Sequence, residues 1–230
     1  MGALIRKLQP GKIDIWYGTL GKNSVADCLS PAERQQAERF NRPEARLRYI
    51  EIRCRLRQKL AEYLQKPAGG LNIQRNEYGK PYLVDFPQLS FNLSHSRNEI
   101  ALAVTEQALL GVDIEVIQDR PGLEGLAGKC FTAKEQRYWQ SLSEAQKTAC
   151  FYQFWTAKEA FVKAVGRGIA LGLRRVEIDI QDGCRLLNIP EAYLPVENWS
   201  LQPLLLNEKT VATVCCMADS QSPEVQIHPW

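Results

Sequence analysis

The apolar positions along the chain fall into two successive series of the same kind. Lys12 to Leu20 (KIDIWYGTL) alternates apolar and polar side chains, the period of a half-buried strand. Ser30-Pro31, with Glu33 three residues after the serine, has the spacing of a capping box with proline at the first helical position. Helical periodicity then runs to Leu64 with a break expected at Pro43, and Gly69-Gly70 ends it. Short strands are expected near 71–74, 82–84, 89–93 and 100–105, with Tyr78-Gly79-Lys80-Pro81 as a turn. From Gly111 the order begins again: a strand to Ile117, a helix opened by Thr132 with Glu135 at capping-box spacing, and a longer helix from about Ala145 to Val165. Gly166-Arg167-Gly168 stops that helix, and strands follow at 176–180, 185–189, 199–206 and 210–217. The repeated order predicts an α+β fold made by pseudo-twofold duplication, with halves at 1–108 and 109–218 and a poorly ordered tail at 219–230.

Composition narrows the setting. A chain of 230 residues that is 45% hydrophobic and 24% charged is an ordinary globular protein, with no apolar run long enough to span a membrane. The first eleven residues lack the apolar region of a signal peptide, and Arg6 stands where myristoylation needs Ser or Thr. A cytoplasmic protein is expected. Seven cysteines without a CxxC pair then read as small buried hydrophobes, neither a disulfide frame nor a zinc site, and two histidines exclude a His-rich metal centre. The net charge of +3 says little, but arginines crowd between Arg34 and Lys59. They form either a solvated helix face with i,i+4 pairs or a surface for an anionic ligand.

Three segments carry candidate chemistry. In Gly111-Val112-Asp113-Ile114-Glu115-Val116 the strand period puts Asp113 and Glu115 on one face. They are either a polar outer face or two carboxylates sharing a cation. In the helix containing Phe154-Trp155-Thr156-Ala157-Lys158-Glu159-Ala160-Phe161-Val162-Lys163, Lys158 falls within the apolar stripe, and Glu159 and Lys163 lie one turn apart on its margin. Lys158 either snorkels past the aromatics or meets a buried anion. In Phe91-Asn92-Leu93-Ser94-His95-Ser96, a histidine between two hydroxyls can donate to a phosphate.

NLSHS, GVDIE and FWTAKEAFVKAVGRGI, in this order and at these separations, resemble the 4'-phosphopantetheinyl transferases of the large, surfactin-synthetase type, from about Leu29 to about Leu173. The resemblance implies two similar α+β halves with the active site in the cleft between them. It implies transfer of the 4'-phosphopantetheine arm of coenzyme A to a serine of an apo acyl, polyketide or peptidyl carrier protein, releasing 3',5'-ADP. It puts Mg²⁺ on Asp113, Glu115 and Glu159, Lys163 on the pyrophosphate, and Arg48, Lys80, Ser94, His95 and Lys158 against coenzyme A. Glu135 matches a family glutamate proposed as the base, and its other reading is the helix cap. Lysines that some relatives carry after the Ser-Pro helix start are replaced by Glu33 and Gln36. A monomer is expected, because two fused halves make a cleft without a partner chain. A nucleic-acid binder using the arginine-rich helix, a silent carrier-protein adaptor and a phosphoester enzyme independent of coenzyme A are the rival readings; neither nucleic acid nor membrane is expected as a partner.

Overall fold

The computed structural model describes residues 8, 11–21, 26–106, 109–218 and 222–230. The alternating segment forms β1 (Lys12–Thr19). Helix α1 (Pro31–Glu38) starts on Ser30, whose hydroxyl accepts from the Glu33 amide while the Glu33 carboxylate accepts from the Ser30 amide. The chain breaks before Pro43, which opens α2 (Pro43–Leu64) as the residue with no amide to leave unpaired. Strands β2 (Ile73–Arg75), β3 (Pro81–Leu83), β4 (Ser90–Ser96) and β5 (Glu99–Thr105) complete the first series. The second contains β6 (Leu110–Val116), α3 (Leu123–Cys130), α4 (Ala133–Ser141), α5 (Glu144–Val165), β7 (Glu177–Asp179), β8 (Arg185–Asn188), β9 (Trp199–Asn207) and β10 (Thr210–Met217). A last strand, β11 (Glu224–Pro229), follows.

Strand order displays the duplication. One sheet runs β11-β1-β5-β4 and the other β6-β10-β9, so β1-β5-β4 and β6-β10-β9 repeat one arrangement; the hairpins β2-β3 and β7-β8 correspond likewise. The period of two sorts the side chains into layers. Ile13, Ile15, Ala101 and Ala103 of the first sheet meet Val112, Ile114, Ala212 and Val214 of the second. On its other face the first sheet packs Trp16, Leu102 and Val104 under Leu56 and Leu60 of α2. The second packs Leu201 and Cys215 under α5 residues such as Phe161. The layers are therefore α2, sheet, sheet, α5. Since Val112 and Ile114 point into the middle layer, Asp113 and Glu115 point toward α5.

Gly111 makes the approach of α5 possible. A Cβ there would lie 2.1 Å from the Ala160 carbonyl oxygen and 2.4 Å from the Ala164 nitrogen, so the helix backbone lies directly on the strand.

Three expectations change. Within the expected poorly ordered tail, β11 pairs in parallel with β1, Trp230 N donates to Tyr17 O at 2.8 Å, and His228 Nε2 lies 2.8 Å from Asp14 Oδ1. The strand is short and its partner lies at the other end of the chain, so local pattern could not reveal it. Cys28 and Cys54 form a disulfide between the short turn before α1 and α2, where seven unpaired cysteines were expected. Helix α3 was not anticipated, because Gly125 and Gly128 weaken its helical signature. No helix among the described residues is long and apolar enough to cross a membrane.

Candidate active site

The edge strands β4 and β6 meet at the seam between the two sheets without sharing a backbone ladder. Side chains bridge them instead. Asn92 Oδ1 accepts from the Val112 amide at 2.8 Å, Ser94 Oγ from the Ile114 amide at 3.4 Å and Ser96 Oγ from the Val116 amide at 3.2 Å. The same serines donate onward, Ser94 to Asp113 Oδ1 at 2.9 Å and Ser96 to Glu115 Oε2 at 2.6 Å.

From the other side α5 brings Glu159 and Lys163. The Lys163 ammonium lies 2.6 Å from Asp113 Oδ1, 2.9 Å from Ser94 Oγ and 3.3 Å from the Val112 carbonyl. Its ion-pair partner is thus the β6 carboxylate of Asp113. Asp113 is 4% exposed, and its Oδ2 is a buried oxygen with no hydrogen-bond partner among the described residues. Burial, then the neighbouring Asp113 and Glu115, push the Glu159 carboxyl up to about 6 against the pull of Lys163. Glu115 is also raised, chiefly by burial, and Asp113 adds to the shift. Three carboxylates, two of them with raised pKa values and the third with an orphaned oxygen, fit a hard divalent cation in donor type and charge. Among the described residues no three His, Cys, Asp or Glu side chains stand as a ready ligand cluster. Lys163 is the cation bonded to Asp113 in this arrangement.

Two further groups border the trio. Arg48 reaches from α2 to within 3.4 Å of His95 Nδ1 and donates to the Arg97 carbonyl. His95 is exposed on one side, and partial desolvation, then the Arg48 and Lys163 charges, hold its pKa below the usual value. Lys80 donates to the Leu110 carbonyl at 2.9 Å and the Ala164 carbonyl at 2.7 Å, joining the first half to β6 and to the last turn of α5. Burial lowers its pKa to about 8. A cavity of about 210 Å³ opens here, lined by Tyr78, Lys80, Asn92, Lys163 and Gly166 among others.

Glu135 and Lys158 lie elsewhere. Lys158 Nζ is 2.7 Å from Glu135 Oε2, with side-chain exposures of 0% and 1%. Glu135 also completes the capping box of α4 through Thr132 and accepts from the Ile178 amide at 2.8 Å, while Lys158 donates to the Leu173 and Val176 carbonyls. Both Glu135 oxygens are occupied and sealed, so no face remains for a serine hydroxyl. The ammonium of Lys158 likewise has no face toward a ligand. Of the paired readings, the cap and the buried anion are the ones realised.

The first half contains the same device. Glu33 completes the cap of α1 and pairs with Arg57 of α2, which donates to the Ala68 and Leu71 carbonyls as Lys158 does to Leu173 and Val176. Sequence reasoning saw both capping boxes but not the cation on the long helix that locks each one. The signal available was a buried-position cation 24 residues after Glu33 and 23 after Glu135.

Comparison with known proteins assigns both halves. Residues 109–215 match the model of the 4'-phosphopantetheinyl transferase superfamily, and residues 19–107 match that of the 4'-phosphopantetheinyl transferase N-terminal region. The 4'-phosphopantetheinyl transferase HetI of Nostoc sp. is 35% identical over 205 residues, 87% of this chain and 83% of that protein. The Bacillus subtilis 4'-phosphopantetheinyl transferase Sfp is 28% identical over 178 residues, 76% of this chain and 78% of the other. The L-aminoadipate-semialdehyde dehydrogenase-phosphopantetheinyl transferase of Xenopus laevis is 28% identical over 224 residues, 87% and 73% of the two chains.

Proposed function

This chain belongs to the 4'-phosphopantetheinyl transferases, and from that membership we propose that Asp113, Glu115 and Glu159 hold Mg²⁺ at the seam while Lys163 attends the transferred phosphate. As a member it transfers the phosphopantetheine arm of coenzyme A to a serine of an apo carrier protein, with 3',5'-ADP leaving. The serine oxygen forms a bond to the phosphorus next to the pantetheine, its hydroxyl proton passes to solvent water, and the bond from that phosphorus to the bridging oxygen of the pyrophosphate breaks, its electron pair leaving with 3',5'-ADP.

The observation that supports the cation reading is the orphaned Asp113 Oδ2 beside two carboxylates with raised pKa values. Mg²⁺ bound there supplies charge neutralisation for the pyrophosphate. The chain's own residues do the rest. Ser94 and Lys163 hold Asp113 in place. When coenzyme A enters, the Lys163 ammonium is near enough to the seam to take a pyrophosphate oxygen and stabilise the leaving bisphosphate. Arg48 and His95 supply the donors suited to the 3'-phosphate, and a histidine already beside two cations gains from an anion. Ser94 serves coenzyme A through Asp113, and Lys80 through its aliphatic stem in the cavity wall. Glu135 and Lys158 belong to the packing that seats α5, not to the reacting groups. A monomer in the cytoplasm is sufficient for this chemistry, since both walls of the seam come from one chain.

The test is direct. Protein incubated with coenzyme A, Mg²⁺ and an apo acyl carrier protein adds one phosphopantetheine to the carrier serine, read by intact mass spectrometry. No mass gain on any of several acyl, polyketide or peptidyl carriers would sink the reading.

A further inference from the structure

We infer that Ser96 is a positioning residue for the transfer: its hydroxyl fixes the Glu115 carboxylate in the orientation from which it meets the cation. This rests on the cation site proposed above.

The argument begins with an unpaired edge. β4 ends one sheet and β6 ends the other, yet the β6 amides at Val112, Ile114 and Val116 are all satisfied, as buried backbone donors must be. Their partners are Asn92, Ser94 and Ser96, each 20 positions earlier, so a parallel ladder of side chains replaces the backbone one. This explains why polar residues stand at every second position from Asn92 to Ser96, on a strand whose other face carries Phe91 into the core.

The rungs are not equivalent. The Asn92 rung adjoins Gly111, which has no side chain, so it aims no carboxylate. The Ser94 rung carries Asp113, which Lys163 holds as well. At the Ser96 rung the Val116 amide fixes the oxygen, and the single hydroxyl hydrogen goes to Glu115 Oε2 at 2.6 Å. Among the described residues this is the one side-chain hydrogen bond that the Glu115 carboxylate receives. A half-buried glutamate has several rotamers, and Ser96 selects among them. Loss of such an outer partner leaves the ligand present but unaimed.

The test compares an isosteric pair. Mn²⁺ serves as the probe, titrated into protein saturated with coenzyme A and followed by the electron paramagnetic resonance of free Mn²⁺. Ser96→Thr keeps the hydroxyl and Ser96→Val removes it at nearly constant volume, both on a residue type that suits a strand. The expected result is wild-type affinity for Ser96→Thr and a loss of about tenfold to a hundredfold for Ser96→Val. Melting temperatures are read alongside: a Ser96→Val protein that melts like Ser96→Thr but binds Mn²⁺ more weakly separates aiming from edge closure. Asp113→Asn loses Mn²⁺ binding altogether. Equal Mn²⁺ affinity of Ser96→Thr and Ser96→Val, with binding lost in Asp113→Asn, overturns the role of Ser96 and leaves the cation site standing. Unchanged binding in Asp113→Asn overturns the cation site itself.

Discussion

Lys158 Nζ lies 2.7 Å from Glu135 Oε2 inside the second half, and the pair repeats the Arg57–Glu33 contact of the first. A device present in both halves, only one of which carries the acidic trio, is a device of the fold. Each joins a helix cap, a long helix and the loop that follows it.

Glu135→Gln separates the cap from the base. Glutamine at this position still completes a capping box but leaves the Lys158 ammonium buried without its counter-charge, a loss of about 3–5 kcal/mol. Burial already holds the Lys158 pKa below its usual value. Urea unfolding of Glu135→Gln is expected to show that loss, while kcat per folded molecule in carrier loading stays near wild type. A kcat collapse with stability intact would return Glu135 to the chemistry.

How much of this was legible in the sequence depends on range. Both capping boxes, the proline break and the long α5 follow from residues within one or two turns, and they stand where the pattern put them. Glu159 beside Asp113 was legible only through family motifs, because no local rule brings a helix residue against a strand about 45 positions away. The side-chain rungs from β4 to β6 and the pairing of β11 with β1 depend on register between distant segments. No periodicity encodes that.

Gly111→Ala tests the seating of α5. The added Cβ has backbone atoms in its way, not a flexible side chain. Overpacking of this kind costs about 1–3 kcal/mol, and a shift of α5 by about 1 Å moves Glu159 and Lys163 away from Asp113 and Glu115 at a cost of about 100-fold in rate. Thermal unfolding and carrier loading should both fall; wild-type values in both would mean that α5 does not lie on this strand.

The pH dependence of cation binding has a definite sign. The Glu159 carboxyl titrates at about 6 for reasons of burial and of its acidic neighbours, above its ordinary 4.5. The cation requires the ionised form, so binding below about 6 must displace a proton. Mg²⁺ affinity in the presence of coenzyme A is expected to weaken as pH falls through 6 and to level above it. The raised value also means that the cation-free protein loses stability as pH rises from 4.5 to 6, and that Mg²⁺ restores it. Calorimetric titrations at pH 5, 6 and 7.5 check this. An affinity flat across that range would contradict it.

The C-terminal strand is expected to hold the first sheet closed. Deleting residues 222–230 removes β11, the His228–Asp14 contact and Trp230, which lies against Gly18 and under Arg55. It leaves β1 as an open edge, which invites self-association. Size-exclusion chromatography should show oligomers, with stability reduced by about 2 kcal/mol or more. A truncated protein that stays monomeric and equally stable would show the strand to be dispensable.

Carrier loading by Asp113→Ala, followed by intact mass spectrometry over a range of Mg²⁺ concentrations, tests the seam site most directly. The account predicts a folded variant that adds no phosphopantetheine to the carrier at any Mg²⁺ concentration, while wild type loads it fully. Loading by Asp113→Ala at the wild-type rate would contradict it.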